Sequence, residues 1–339
     1  MTNFFQSLAK ASALARKTRP LAAATKMQQA LLGLAPAKRP ARRAKSRLPR
    51  PAPGSFINGE FQNRHGAFAY RLYTPVGSAR RRMPLVVMLH GCGQTAVDFA
   101  LGTQMNRLAD ELGFLVLYPQ QNQSANLARC WNWHDPKHQM RGRGEPAVMA
   151  GLTRHAIALA RANPSRIYVA GLSAGAGAAA VLGAAYPELF VAVGIHSGVA
   201  QGQAHSLSTA LSAMRGRAAP KPAARTRRPL PMIVFQGDRD RVVHPSNAGE
   251  FLANLENSRP GPLVSQSFSG QSDRGHAFTR KVYKSAAGDV LLEVWTIHGS
   301  GHGWSGGHAA GSYTDPAGPD ASREMLRFFL ARKRRTAGR

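Results

Sequence analysis

Acidic residues are scarce in this chain: 17 Asp and Glu stand against 45 Lys and Arg, for a net charge of +28. Spread over one surface, that imbalance would mark a polyanion-binding protein, but the excess is local. Residues 1–55 hold twelve Lys/Arg and no Asp/Glu, 215–228 hold six more, and 330–339 another five, which leaves about +5 for everything else. No nucleic-acid motif accompanies these runs, and no aromatics interleave with them as stacking platforms, so a specific nucleic-acid reader is excluded. Such runs are either solvated segments or a salt-sensitive contact with an anionic particle or membrane surface. Cysteine is almost as rare. Cys92 and Cys130 are too few for a disulfide scaffold and permit one bridge or two free thiols. No apolar run approaches the roughly 18 residues of a membrane span. Lys10, Arg16, Lys17 and Arg19 interrupt the N-terminal region before any apolar signal core can form, so no secretory signal is expected.

What is present is enough apolar material, 43% of 339 residues, for one large α/β domain with extensions. Residues 1–54 read as short basic amphipathic helices followed by a Pro/Arg-rich linker, 55–332 as the folded domain with a loose basic insertion at about 215–229, and 333–339 as a basic tail. Within the domain, mostly apolar runs end abruptly in polar or glycine-rich loops: Leu85–Leu89 before His90-Gly91-Cys92-Gly93, Phe114–Pro119, Ile167–Leu172, Val191–Ile195 before His196-Ser197-Gly198, Pro231–Phe235, and Val290–Ile297. Helical patterns separate them over Thr95–Leu112, 146–162, 174–186, 246–257 and 319–332. An early strand covers Phe68–Tyr73, and 263–298 reads as antiparallel strands. Buried strands alternating with helices predict a mostly parallel, doubly wound sheet flanked by helices, with its functional loops on the rim at the strand C-termini.

The stretch Ile167-Tyr168-Val169-Ala170-Gly171-Leu172-Ser173-Ala174-Gly175 places Gly-x-Ser-x-Gly between a β-branched run and an Ala-rich helix. That is the strand–turn–helix setting of a nucleophile elbow, which lifts a serine out of the sheet and turns the next amide, Ala174 N–H, toward a developing oxyanion. Downstream, in the order Ser…Asp…His, stand Gly237-Asp238-Arg239-Asp240 and Gly299-Ser300-Gly301-His302-Gly303, each after a predicted strand. His302 is the candidate general base, with His298, His276 and His308 as rivals; Asp240 is the candidate acid, with Asp238 as the alternative. The loop after Leu89 offers a second oxyanion donor, the amide of Cys92. A dinucleotide-binding reading of Gly175-x-Gly177 fails, because the full glycine spacing is not completed.

From about residue 56 to 330 the chain resembles the poly(3-hydroxybutyrate) depolymerase family of esterases, specifically the type 1 catalytic domain of short-chain-length polyhydroxyalkanoate depolymerases, within the α/β-hydrolase superfamily. The likeness rests on Leu89-His90-Gly91-Cys92-Gly93-Gln94-Thr95, Cys130-Trp131-Asn132-Trp133, Gly171-Leu172-Ser173-Ala174-Gly175, Gln236–Pro245 and Gly301-His302-Gly303-Trp304-Ser305-Gly306-Gly307 taken together. It implies an α/β-hydrolase fold and a serine esterase that needs no cofactor or metal. It further implies Ser173 as nucleophile, Asp240 as acid, His302 as base, Cys92 and Ala174 as oxyanion donors, a bridge between Cys92 and Cys130, and Trp131, Trp133 and Trp304 along the acyl groove. Feruloyl and acetylxylan esterases share these features and are the alternative of the same class. A granule- or polyanion-binding protein that has lost catalysis is the alternative from another class. The signal peptide, linker and polymer-binding domain of the secreted depolymerases are not visible, so the expected location is cytoplasmic or on polyhydroxyalkanoate granules through residues 1–55, with an extracellular site as the alternative.

Overall fold

The computed structural model describes residues 54–76, 82–217, 229–258, 261–273 and 275–334, all inside the compact unit Pro51–Arg339. The expected basic helices and linker up to residue 53, residues 218–228 of the insertion, and 335–339 of the tail lie outside the described residues.

Short apolar runs bounded by glycine, proline and polar residues become strands because they are long enough to cross a core and too short for a stable helix. Ten strands form one sheet: β1 (Gly54–Asn63), β2 (Gly66–Pro75), β3 (Leu85–Leu89), β4 (Leu115–Gln120), β5 (Ile167–Leu172), β6 (Ala192–His196), β7 (Met232–Gly237), β8 (Val264–Gln271), β9 (Ala277–Lys284) and β10 (Val290–Ile297). Their order is β1-β2-β4-β3-β5-β6-β7-β10-β9-β8. Neighbours from β4 through β10 pair in parallel, while β1 and β2 at one edge and β8 and β9 at the other pair antiparallel. This is the predicted doubly wound α/β-hydrolase sheet, extended by an antiparallel hairpin at each end. Two short strands, β11 (Trp304–Ser305) and β12 (Thr314–Asp315), pair separately.

Alternation along the strands feeds two apolar layers. Leu85, Val87 and Leu89 face one layer with α3 (Gly144–Leu159), α4 (Ala174–Ala185) and α6 (Asn247–Ser258). Val86 and Met88 face the other, with α1 (Ala96–Thr103), α2 (Met105–Leu112) and α7 (Ala321–Leu330). The helix predicted through Leu112 is broken in two at Gln104 (φ 55°), whose amide caps α1 on the Ala100 carbonyl and whose side chain donates to Leu101 O at 2.7 Å. Strand β1 carries no alternating apolar signal because both of its faces are largely exposed, and α5 (Leu207–Met214) follows a Ser206–Thr209 capping box in a segment with only two buried side chains. The parallel arrangement brings the loops after β3, β5, β6, β7 and β10 to one rim.

Helix α7 locks the sheet from below: Phe329 is fully buried and stacks on Tyr168 of β5, centroids 5.0 Å apart and planes 3° from parallel. Phe329→Ala is expected to cost about 3–5 kcal/mol, measured by urea unfolding. A loss below about 1 kcal/mol would show that α7 contributes little to the core.

Candidate active site

Ser173 is the last residue before α4, at φ 56° and ψ −119°. A side-chain-bearing residue at positive φ is strained, and its surroundings leave it no choice. A Cβ on Gly171 would fall on the Gly175 carbonyl, and one on Gly175 would fall on the carbonyl of Leu89. Only glycines let the turn close against β3. The Ser173 amide donates to His196 O of the neighbouring strand at 2.9 Å, and its carbonyl accepts from Gly177 N at 3.0 Å as the first bond of α4. The side chain stands half-buried on the rim.

The loop after β3 is fixed from several sides. His90 is fully buried, and its Nε2 accepts from Gln121 N at 3.1 Å, so the proton sits on Nδ1, which donates to Gly91 O at 2.8 Å. Burial, reinforced by the Arg129 charge, pushes its pKa down to about 4 against the pull of the Gly91 bond, and the ring is neutral. Trp131 Nε1 donates to His90 O at 2.9 Å, and Cys92 is joined to Cys130. Gly91 N is taken by Gln94 Oε1 at 2.8 Å, Gly93 N by Ala128 O at 2.7 Å, and Gln94 N by Gly91 O at 3.3 Å. Among the described residues the amides of Cys92 and Ala174 have no acceptor.

The structure brings Asp240 and His302 together across the loops after β7 and β10, with Oδ2 and Nδ1 2.8 Å apart and side-chain exposures of 0% and 11%. Asp240 Oδ1 accepts from Val242 N at 2.9 Å and Val243 N at 2.8 Å, and Oδ2 also accepts from Gln236 Nε2 at 3.1 Å. Burial alone would raise the carboxyl's pKa, but the bonds from His302 and the two valine amides outweigh it, and the pKa is lowered. Asp240 is therefore an anion that holds the His302 Nδ1–H and leaves Nε2 without a described partner. Neither Ser173 Oγ nor His302 Nε2 hydrogen-bonds to a described group, Ser173 to His302 included.

The rivals are engaged elsewhere. Asp238 pairs with His298 at 3.0 Å on the surface and accepts from Gly299 N at 2.8 Å. His276 pairs with Asp315, and His308 lies in an exposed loop. The three tryptophans are largely buried. Trp131 and Trp304 are 0% and 1% exposed and Trp133 only 8%. Trp304 Nε1 donates to Ser322 Oγ at 3.0 Å, and Trp133 packs where a Cβ on Gly177 would sit. The indoles of Trp131 and Trp304, each with a buried hydrogen-bond partner, pack into the core beneath the rim. Sequence reasoning gave no role to two buried histidines, His90 and His196, or to Gln236. The usable signal was an apolar strand that twice ends in histidine followed by a small residue, Leu89-His90-Gly91 and Ile195-His196-Ser197.

A family model described as "Esterase PHB depolymerase" matches residues 68–257. Poly(3-hydroxyalkanoate) depolymerase C of Paucimonas lemoignei is 35% identical over 234 residues, covering 65% of this chain and 55% of that protein. The chain thus spans about half the length of that relative. Feruloyl esterase B of Neurospora crassa is 32% identical over 232 residues, covering 63% of this chain and 77% of that one. Among solved structures, an acetyl xylan esterase from Aspergillus awamori superposes with a TM-score of 0.62 at 19% identity, covering 82% of this chain and 99% of that chain, a likeness of fold.

The bridge between Cys92 and Cys130, 38 residues apart, tethers a free amide to the neighbouring loop. Replacing both cysteines by serine is expected to cost about 3–4 kcal/mol by the loop-entropy relation, read from urea denaturation of the oxidised and variant proteins. Equal midpoints would show that the bridge does not constrain the unfolded chain.

Proposed function

Because the chain belongs to the esterase family of PHB depolymerases, we propose that it is a serine esterase acting on short-chain 3-hydroxyalkanoate esters, polymeric or oligomeric, with no metal or cofactor. The observation that carries this reading is the dry Asp240–His302 pair on the same rim as a strained Ser173. His302 Nε2 accepts the proton of Ser173 Oγ as that oxygen attacks the ester carbonyl. The carbonyl oxygen becomes an oxyanion in reach of the Cys92 and Ala174 amides, a contribution of about 3 kcal/mol per donor. Collapse breaks the ester C–O bond, and the alkoxide leaves with the proton from His302, which gives an acyl-serine. Water then repeats the sequence and releases the acid. Asp240 stays ionised throughout and stabilises the imidazolium.

The match to 77% of a feruloyl esterase supports keeping aromatic esters in the test. An intact acid–base pair argues against a protein reduced to binding. The basic segment 1–55 supports a contact with an anionic particle surface, a granule included, and with it a cytoplasmic or granule-bound location. Among the described residues no helix is long and apolar enough to cross a membrane.

Wild type, Ser173→Ala, Asp240→Asn and Asp238→Asn are to be assayed on p-nitrophenyl butyrate, polyhydroxybutyrate film, methyl ferulate and acetylated xylan. Ser173→Ala is expected to abolish turnover on every ester. Asp240→Asn is expected to lower kcat by about 10⁴, and Asp238→Asn by less than about tenfold. Turnover by Ser173→Ala equal to wild type would sink the esterase reading; the opposite ranking of the two Asn variants would move the acid to Asp238. Preference for methyl ferulate or xylan over polyhydroxybutyrate would move the substrate class.

A further inference from the structure

His196 ends β6, which lies between the strand of the candidate nucleophile and the strand of the candidate acid. Its backbone pairs with Leu172 on one side and Phe235 on the other. Its carbonyl oxygen holds the Ser173 amide at 2.9 Å. Its ring is fully buried, stacked on Phe235 at 5.8 Å with planes 11° apart and on Trp304 at 5.1 Å with planes 27° apart. Within that apolar sandwich Nε2 accepts from Ser305 N at 2.9 Å, so the proton lies on Nδ1, which faces Ser197 Oγ at 3.2 Å. Burial, with the nearby His302 adding to it and Asp240 opposing, pushes the imidazole's pKa down to about 3. The acceptor on Nε2 is thus present at any working pH.

Ser305 lies three residues beyond His302 and is itself buried, its hydroxyl donating to Pro319 O at 2.7 Å. The other side of the His302 loop is pinned independently, by Arg239 N on Ser300 O at 3.0 Å and by Ser300 Oγ on Asp315. His302 is therefore held between Ser300 on one side and, on the other, Trp304, whose amide donates to Tyr313 O at 2.7 Å, and Ser305, whose amide is held by the ring of His196. A phenylalanine would fill the same sandwich. Packing alone does not call for a histidine here, whereas an acceptor for an amide in a dry pocket does.

We infer that His196 is a positioning residue for ester hydrolysis, which ties the nucleophile through its carbonyl and the base loop through its imidazole and so sets the reach between Ser173 and His302. This rests on the assignment of Ser173 and His302 as nucleophile and base. One rigid ring links the two loops, so its loss lets the base drift while the substrate surface stays in place. A shift of the base by about 1 Å costs on the order of a hundredfold in rate.

The test uses the full chain with p-nitrophenyl butyrate and three variants: His196→Phe, which keeps the ring and loses the acceptor; His196→Gln, whose Oε1 restores an acceptor near the place of Nε2; and Ser173→Ala. The Phe variant is expected to lose ten- to hundredfold in kcat with KM within about twofold, and the Gln variant to recover to within about fivefold of wild type. A folded Phe variant with kcat within threefold of wild type overturns the inference, as does a folded Gln variant no better than Phe. If the Phe variant fails to fold, Gln is compared with His196→Met, of similar length but with only a weak acceptor, and equal kcat in the two overturns the inference. Activity in Ser173→Ala would instead overturn the site assignment itself, a distinguishable failure.

Discussion

The backbone of Ser173, at φ 56° and ψ −119°, is the constraint on which the rest of the rim depends. Such a conformation costs on the order of 1–3 kcal/mol and persists only where the surroundings over-determine it. Three elements do so here. The end of β3 and the residue after it set the Leu89 and His90 carbonyls against Gly175, β6 takes the Ser173 amide on the His196 carbonyl, and α4 begins at once with Gly177 N on Ser173 O. The strain is thus held by the sheet itself rather than by a loop, which is why the serine's direction is as rigid as the strands around it. What the conformation secures is a half-buried hydroxyl beside a helix N-terminus whose first amide is unspent.

The same economy shows in the two buried histidines. Each ends a central strand, each is held neutral by burial, and each uses Nε2 to accept a backbone amide from another loop: His90 from Gln121, His196 from Ser305. Each also lies against an indole, His90 against Trp131 at 5.2 Å and His196 against Trp304 at 5.1 Å. A neutral imidazole in an apolar wall offers a directional acceptor without the cost of burying a charge. The rim therefore stands on two ring-and-indole footings, one beneath the Gly91–Gln94 loop and one beneath the His302 loop. This explains why tryptophans next to both motifs are core residues.

The parallel sheet, its switch from strand to loop at each polar residue, and the order of Ser173, Asp240 and His302 along the chain are legible in the sequence because hydrophobic runs and glycine-rich ends are local signals. Other features depend on tertiary partners and leave no local mark. The break at Gln104 falls inside an unbroken helical pattern. Strand β1 is exposed and has no apolar face to read. The orientation of Trp131, Trp133 and Trp304 is set by Phe68, Gly177, Ser322 and the two histidines, residues far away in the chain. Adjacency to a motif says that a side chain is near the site; which side of the sheet it enters is decided by packing.

The choice between two acids shows the limit from the other direction, because the chain builds the same Asp–His pair twice. Asp238 with His298 and Asp240 with His302 arise from the same two loops with similar spacing, 3.0 and 2.8 Å. Their surroundings differ. The first pair is 36% and 43% exposed, where water screens the attraction and competes for each partner. The second is 0% and 11% exposed, and four donors, from Val242, Val243, Gln236 and His302, fill both carboxylate oxygens and forbid rotation. A fixed anion in a dry site acts on a developing imidazolium with far greater effect than the same anion in water. Burial of the carboxylate, not the pairing as such, separates a group able to support proton transfer from a surface clasp between two strand ends.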